Sequence, residues 1–276
     1  MTKRIVTTTS VFQPGYPAED AMDRLKRIGF EGQDMALDYW RDISDSPFMA
    51  GDCEAWGRAL RERAERIGIP YTHAHAPGEA EDNPLIERSI RTASALGARY
   101  MVLHPAWHLP DDTIIEDERA FVDRNVRLIA PWLTLARETN VTILSENLLW
   151  GASRDPRVIA RLVEAVGSPY FGWCYDTGHA NCFGYRPQVL KECAAAPLSL
   201  HIQDNHGGPR DEHLIPGDGT VDFKALTDTL KAIGYAGDCV LEAHHQSLEA
   251  PDDRRDEILA RLLEKARRIR ADMESI

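Results

Sequence analysis

One feature constrains this chain more than any other: short apolar runs alternate with helical patterns eight times along its 276 residues. The runs span Ile5–Thr9, Gly32–Ala36, Tyr71–His75, Tyr100–His104, Val141–Glu146, Gly172–Asp176, Leu198–Gln203 and Cys239–Ala243. Each has the length and apolar character of a buried strand. The segments between them carry helical spacing. "AEDAMDRLKRIGF" sets Ala21, Leu25 and Ile28 on one face and ends near a glycine. "EAWGRALRERAERIG" repeats that design, and "NPLIERSIRTASALG" opens with Asn-Pro, a cap and first-turn pair. "DERAFVDRNVRLIAPWLTLARET" is longer and should kink or break at Pro131. "DPRVIARLVEAVG", "RPQVLKECAAA", "DFKALTDTLKAIG" and "DDRRDEILARLLEKARRI" complete the series.

Strict alternation implies a parallel sheet, because each strand needs a crossover helix to reach the next. Eight such units in a chain of this length predict an α/β fold, a single (β/α)8 barrel forming one domain over residues 1–276. A doubly wound sheet is the rival. It would normally place a glycine-rich phosphate loop after the first strand, and here that strand runs into "TTTSVFQPGYP".

Composition narrows the function classes. A hydrophobic content of 43% supplies a large core, and no apolar run is long enough for a membrane helix. "MTKRIVTTTSVFQPGYP" lacks the apolar centre of a secretory signal. Five cysteines, scattered and without a CxxC pair, indicate neither a disulfide framework nor a thiolate zinc site; the expected setting is cytoplasmic. The net charge of −12 argues against a nucleic acid as the main ligand and favours a small molecule. An oligomer of identical chains stays open.

All ten histidines lie in or shortly after a predicted strand, and none falls in a predicted helix. In a barrel the carboxyl ends of all strands converge on one face, so these imidazoles are expected together. Three apolar runs also end in a carboxylate: "VTILSE" in Glu146, "FGWCYD" in Asp176 and "CVLE" in Glu242. A buried, unpaired carboxylate is very costly, and a cation removes the difficulty. Imidazole with carboxylate suits Mn, Co, Zn or Fe, with Mg favoured by all-oxygen sites.

Glu146, Asp176, His201 and Glu242 are the first candidate ligands; the competing account is a hydrogen-bonded network without metal. His179, three residues after Asp176 in "DTGHAN", is either a helix-capping residue that orients a ligand or a ligand itself. His75 and His104 are metal ligands or polar pocket lining. Asp211 and His213, in "PRDEHLIPGDG", are metal or substrate contacts or members of a surface loop. His73 is expected in a polar contact on the helix side of its strand. His108, His206, His244 and His245 are expected on the rim.

The motifs "HAHAP", "VLHP", "SEN", "YDTGHAN", "LHIQDN", "DEHLIPGDGTVDF" and "VLEAHH" together resemble the xylose isomerase-like TIM-barrel superfamily, which includes sugar isomerases, epimerases and the endonuclease IV family. In the sugar epimerase branch a single divalent metal is held by two glutamates, an aspartate and a histidine. The resemblance implies Glu146, Asp176, His201 and Glu242 in those roles, with Glu146 and Glu242 also the catalytic acid/base pair. In the endonuclease IV branch a trinuclear zinc centre is implied, and His75, His104, Glu146, Asp176, His179, His201, Asp211, His213 and Glu242 supply a counterpart for every ligand. Several ketose epimerases carry a second glutamate soon after the first and an arginine just after the metal histidine. Here "SENLLWGAS" has no second acid, and Arg210 in "IQDNHGGPR" arrives late, which weakens a tagatose- or psicose-type specificity.

The expected activity is a divalent-metal-dependent isomerase or epimerase of a sugar or sugar phosphate, working by proton transfer through an enediolate held by the metal. Two further activities stay open: an endonuclease IV-like multi-zinc phosphoesterase, and a metal-dependent lyase or dehydratase on a keto-sugar. A sugar-binding barrel without catalysis is a fourth. Arg210 is placed to meet a phosphate or carboxylate, or to neutralise its acidic loop. Trp107 and Trp150, just past two strand ends, are placed to stack on a sugar ring or to pack on the rim.

Overall fold

The computed structural model describes residues 3–81 and 83–275. Eight parallel strands form one sheet: β1 (Ile5–Thr8), β2 (Gly32–Ala36), β3 (Tyr71–Glu79), β4 (Tyr100–His104), β5 (Thr142–Glu146), β6 (Phe171–Asp176), β7 (Ser199–His201) and β8 (Cys239–Leu241). Neighbours in sequence are neighbours in the sheet, and β1 also pairs with β8. Backbone bonds from Ile202 N to Val240 O (2.8 Å) and Glu242 N to Ile202 O (3.1 Å) join β7 to β8 and close the ring. This is the predicted (β/α)8 barrel.

The helices are α1 (Ala18–Ile28), α2 (Asp38–Arg41), α3 (Cys53–Ile67), α4 (Ile86–Leu96), α5 (Glu118–Ile129), α6 (Leu133–Thr139), α7 (Pro156–Val166), α8 (Thr177–Cys182), α9 (Phe223–Ala232), α10 (His245–Glu249) and α11 (Asp252–Glu274). Among the described residues, no helix is long and apolar enough to cross a membrane. Local chemistry sets several ends. Asp155 caps α7 by accepting from Arg157 N, with Pro156 in the first turn where no N–H is needed. Gly29, at φ +114°, ends α1 in a left-handed turn that a side chain would resist. Pro131 breaks the long helical segment as expected: a 3-10 turn, Ala130–Trp132, separates α5 from α6.

The period of two divides each strand between two environments. Met101, Leu103, Ile143 and Trp173 pack outward with the helices in the main core. Val102, Leu144 and Cys174 pack inside the barrel with Tyr100 against them. All five cysteines are free.

Several expectations need correction. His73 does not face the helices. Residues two apart share a face, so His73 and His75 both point inward; His73 Nε2 reaches Ser199 Oγ on β7 at 3.0 Å. Asn-Pro does not cap α4. Asn83 is held by the end of β3, donating to Pro77 O (2.6 Å) and Glu79 O (3.1 Å), so the helix begins at Ile86. The segment 186–196 forms only a 3-10 turn at Pro187–Lys191. Pro197 disfavours helical backbone in the residue before it, which leaves little length for a full helix. Two histidines do lie on helices, the short α8 and α10 that directly follow β6 and β8: His179 in the first, His245 at the start of the second. β3 runs on to Glu79, whereas β7 and β8 are shorter than expected and Glu242 sits one residue past its strand.

Candidate metal centre

Glu146 ends β5, Asp176 ends β6, His201 ends β7, and Glu242 follows β8. Closure of the barrel brings these four ends together. One donor atom from each lies within 4.8 Å of the others. His201 Nδ1 is 2.9 Å from Glu146 Oε1 and 3.1 Å from Glu242 Oε2. Glu146 and Asp176 are fully buried, yet Glu146 Oε2 and Asp176 Oδ2 have no hydrogen-bond partner among the described residues. Buried carboxylate oxygens left in this way are strongly unfavourable unless a cation lies between them. The donor set, three carboxylates and an imidazole, fits a divalent transition metal.

Two further groups adjoin this one. His75, His104 and Glu146 form a second set, with His75 Nε2 and His104 Nε2 at 3.7 and 3.5 Å from Glu146 Oε2. His179, Asp211 and His213 form a third, in which Asp211 Oδ2 lies 3.0 Å from His179 Nε2 and 2.7 Å from His213 Nε2. Every candidate ligand named from the sequence therefore enters one of these groups. His213 holds its place at φ +44°, a left-handed conformation rare for a side-chain-bearing residue. Its Nδ1 lies 2.7 Å from Glu242 O, which helps to fix that strained backbone.

A layer of polar residues that sequence reasoning missed holds these groups in place. Asn147 brackets Asp176, accepting from its N–H at 2.8 Å and donating to its carbonyl at 3.0 Å. Gln203 donates to Asp211 Oδ1 at 2.8 Å and to Asp176 Oδ1 at 3.3 Å. Asp176 Oδ1 also accepts from His179 N at 2.6 Å, so Asp176 caps α8 with one oxygen and turns the other into the site. Asp204 accepts from the N–H groups of Asn205, Gly217, Gly219 and Val221, which folds the loop carrying Asp211 and His213. The signal for these residues was their position in "SEN" and "LHIQDN", next to ligands that were recognised.

The electrostatics follow from burial. Burial pushes the Asp176 carboxyl up to about 7, and Glu146 and Glu242 add like-charge repulsion. Burial would lower the imidazoles, but their neighbours overcome it: facing carboxylates raise His75 and His213 to about 9 and His179 well above the usual histidine range, and Cys174 with Glu146 and Glu242 raises His201 likewise. Burial opposes ionisation of Glu146 and Asp211, yet the facing imidazoles hold both well below the usual carboxylate range. Imidazolium charge thus balances carboxylate charge, a role that a divalent ion would take over with release of protons.

The centre forms the floor of an open cavity of about 200 Å³. Thr8, Asp38, Tyr39, Leu148 and Trp150 line its walls. Trp150 is 41% exposed and stacks on Trp107, with ring centroids 4.9 Å apart. Arg210 is exposed and does not line the cavity. His206 is exposed beside Glu212, His245 pairs with Glu249, and His108 lies 3.3 Å from Glu79. His244 reaches the cavity, its ring centroid 4.2 Å from that of His213.

Residues 22–268 match the family model described as xylose isomerase-like TIM barrel. An uncharacterized protein of Sinorhizobium fredii is 33% identical over 162 residues, 55% of this chain and 49% of the relative, so the match spans about half the relative's length. The E. coli 3-keto-D-glucoside 4-epimerase shares the fold at 21% identity and a TM-score of 0.71, covering 95% of this chain and 99% of that one. The IolI protein, solved with a bound zinc atom, shares it at 15% identity and a TM-score of 0.81, covering 99% and 100%.

Proposed function

This chain belongs to the xylose isomerase-like TIM-barrel family, and we propose that it is a divalent-metal-dependent isomerase or epimerase of a carbohydrate. One observation carries this reading. Glu146, Asp176, His201 and Glu242 converge within 4.8 Å while Glu146 Oε2 and Asp176 Oδ2 have no hydrogen-bond partner among the described residues. Those four residues would hold the ion; when bound, it would supply Lewis acidity toward a substrate carbonyl and its neighbouring hydroxyl.

The chain's own residues do the rest. Glu146 and Glu242 come from different arcs of the barrel and approach the same point. One removes the proton from the carbon beside the carbonyl. Its return to the carbonyl carbon, with the hydroxyl proton passing to the former carbonyl oxygen, isomerises the sugar. Delivery from the other carboxylate, on the opposite face, epimerises it. Acid/base catalysis of this kind contributes about 100- to 10,000-fold. His179 and His213 hold Asp211 between them at the cavity wall, and Trp150, stacked on Trp107, presents an aromatic face there.

A second reading has its own support. The sets His75–His104–Glu146 and His179–Asp211–His213 add two donor groups to the first, the arrangement expected of a trinuclear zinc phosphoesterase. Elemental analysis of the purified protein, with a Glu146→Gln control, separates the two. About one ion per chain, lost in the variant, supports the isomerase, and about three zincs support the phosphoesterase. Incubation with candidate ketoses in deuterated water should place deuterium beside the carbonyl without a change in carbon skeleton. A product lighter by the mass of water would assign a dehydratase instead. Absence of both bound metal and exchange would overturn the proposal.

A further inference from the structure

Asp34 lies on β2 and points into the barrel, beneath the floor of the cavity. Its side chain is 0% exposed, and neither oxygen has a hydrogen-bond partner among the described residues. The apolar side chains of Val102 and Leu144 fill the inner positions of two other strands. A chain selected only for stability would place a similar residue at 34, because an unpaired carboxylate in such a place is costly.

The group facing Asp34 is His201. Its Nε2 is 3.9 Å from Asp34 Oδ2 and has no hydrogen-bond partner among the described residues. The other ring nitrogen, Nδ1, points at Glu146 and Glu242 at 2.9 and 3.1 Å. His201 therefore stretches between the candidate metal ligands and Asp34. Another buried imidazole is near, but both nitrogens of His73 are engaged, Nδ1 with Thr72 Oγ1 at 2.9 Å and Nε2 with Ser199 Oγ at 3.0 Å.

We propose that Asp34 is a positioning residue that fixes the tautomer and orientation of His201. This rests on the metal-dependent reading given above. An imidazole that offers the Nδ1 lone pair to a cation must carry its proton on Nε2. That N–H is buried and needs an acceptor, and Asp34 Oδ2 is the carboxylate oxygen facing it. A small turn of the ring about its side-chain bonds closes 3.9 Å to hydrogen-bonding distance. The carboxylate then holds the ring in plane with the site and raises its basicity as a ligand. Asp34 touches neither ion nor substrate; it acts through His201. The arrangement accounts for both orphaned partners at once, the carboxylate and the nitrogen.

The test compares Asp34→Asn and Asp34→Ala with the wild-type chain. Zinc affinity is measured by competition with a chelator, and the thermal midpoint is measured on metal-free protein. Loss of an outer partner of this kind typically weakens metal binding by about 10- to 100-fold. Both variants should show that loss, Asn less than Ala because it keeps an acceptor oxygen. The metal-free midpoint of Asp34→Asn should be unchanged or raised, since the variant removes a buried charge without changing shape. Cobalt substituted into Asp34→Ala should show an altered visible absorption, reporting a displaced His201. Zinc affinity within twofold of wild type in both variants would overturn the inference, as would a lowered metal-free midpoint in Asp34→Asn with unchanged affinity. Absence of zinc binding by the wild-type chain itself would instead overturn the metal-dependent reading, and the inference with it.

Discussion

His201 Nδ1 stands 2.9 Å from Glu146 Oε1, although β6 separates their strands and neither side chain reaches solvent. The contact joins the ends of the two strands that flank β6 in the sheet. Glu146→Gln keeps the shape but removes the charge. It should bind metal more weakly and turn over at least about 100-fold more slowly. Glu242→Gln should slow turnover similarly; if the two acids divide the proton transfers, one variant should still exchange substrate hydrogen with solvent. Turnover within tenfold of wild type in both variants would remove the acid/base assignment.

Gly178, in the "DTGHAN" motif, has no room for a side chain: a Cβ there would meet the Gln203 amide at 2.1 Å. Gln203 is the donor shared by Asp176 and Asp211. Gly178→Ala should displace that amide and lower metal affinity about tenfold or more, comparable to loss of an outer partner. Chelator competition measures it. Unchanged affinity would show that Gln203 has another place to go.

His213 sits at φ +44° in the loop folded around Asp204. Left-handed backbone costs a side-chain-bearing residue about 1–2 kcal/mol, and β-branched residues suffer most. His213→Gly and His213→Val both lose the imidazole, so their difference reports on the backbone. The glycine variant should be the more stable by about 1 kcal/mol or more in thermal or denaturant unfolding. Equal stability would mean that the loop relaxes to another conformation.

Burial pushes His73 down to about 3, so it is neutral in the folded barrel. An unfolded chain takes up that proton near pH 6.5. The folded state's advantage is therefore complete above about pH 6.5 and declines as pH falls toward about 3, by about 1.4 kcal/mol per pH unit. His73→Asn removes this proton uptake. Metal-free wild type should lose about 2 kcal/mol more than the variant between pH 7.5 and pH 5, measured by denaturant unfolding. Parallel pH curves would show that His73 is protonated in the folded state.

Much of this protein was legible in the chain. The alternation of apolar runs and helical patterns determined the barrel, because periodicity is a property of residues close in sequence. Carboxylates at the ends of "VTILSE", "FGWCYD" and "CVLE" mark the face of the candidate metal centre for the same reason: a strand's last residue is a local fact, and parallel strands put all such ends on one side.

Other features depended on closure. Pairing of β8 with both β1 and β7 makes the sheet a ring, and only then do Asp34 on β2 and His201 on β7 face one another. Asp34 carries no mark in the sequence, since "GQDMA" has neither the apolar lead nor the terminal acid that distinguished the other strands. His73 likewise became an interior residue through its bond to Ser199 across the barrel. Asp211 and His213 stood in the chain as either metal or substrate contacts or surface-loop residues; four backbone N–H groups bound to Asp204 fold that loop so that both line the cavity. Local spacing is enough to place the eight strands and to mark the acids at or beside their ends. The tertiary structure decided which of those groups meet, because a contact across a closed barrel depends on register and curvature summed over every strand between.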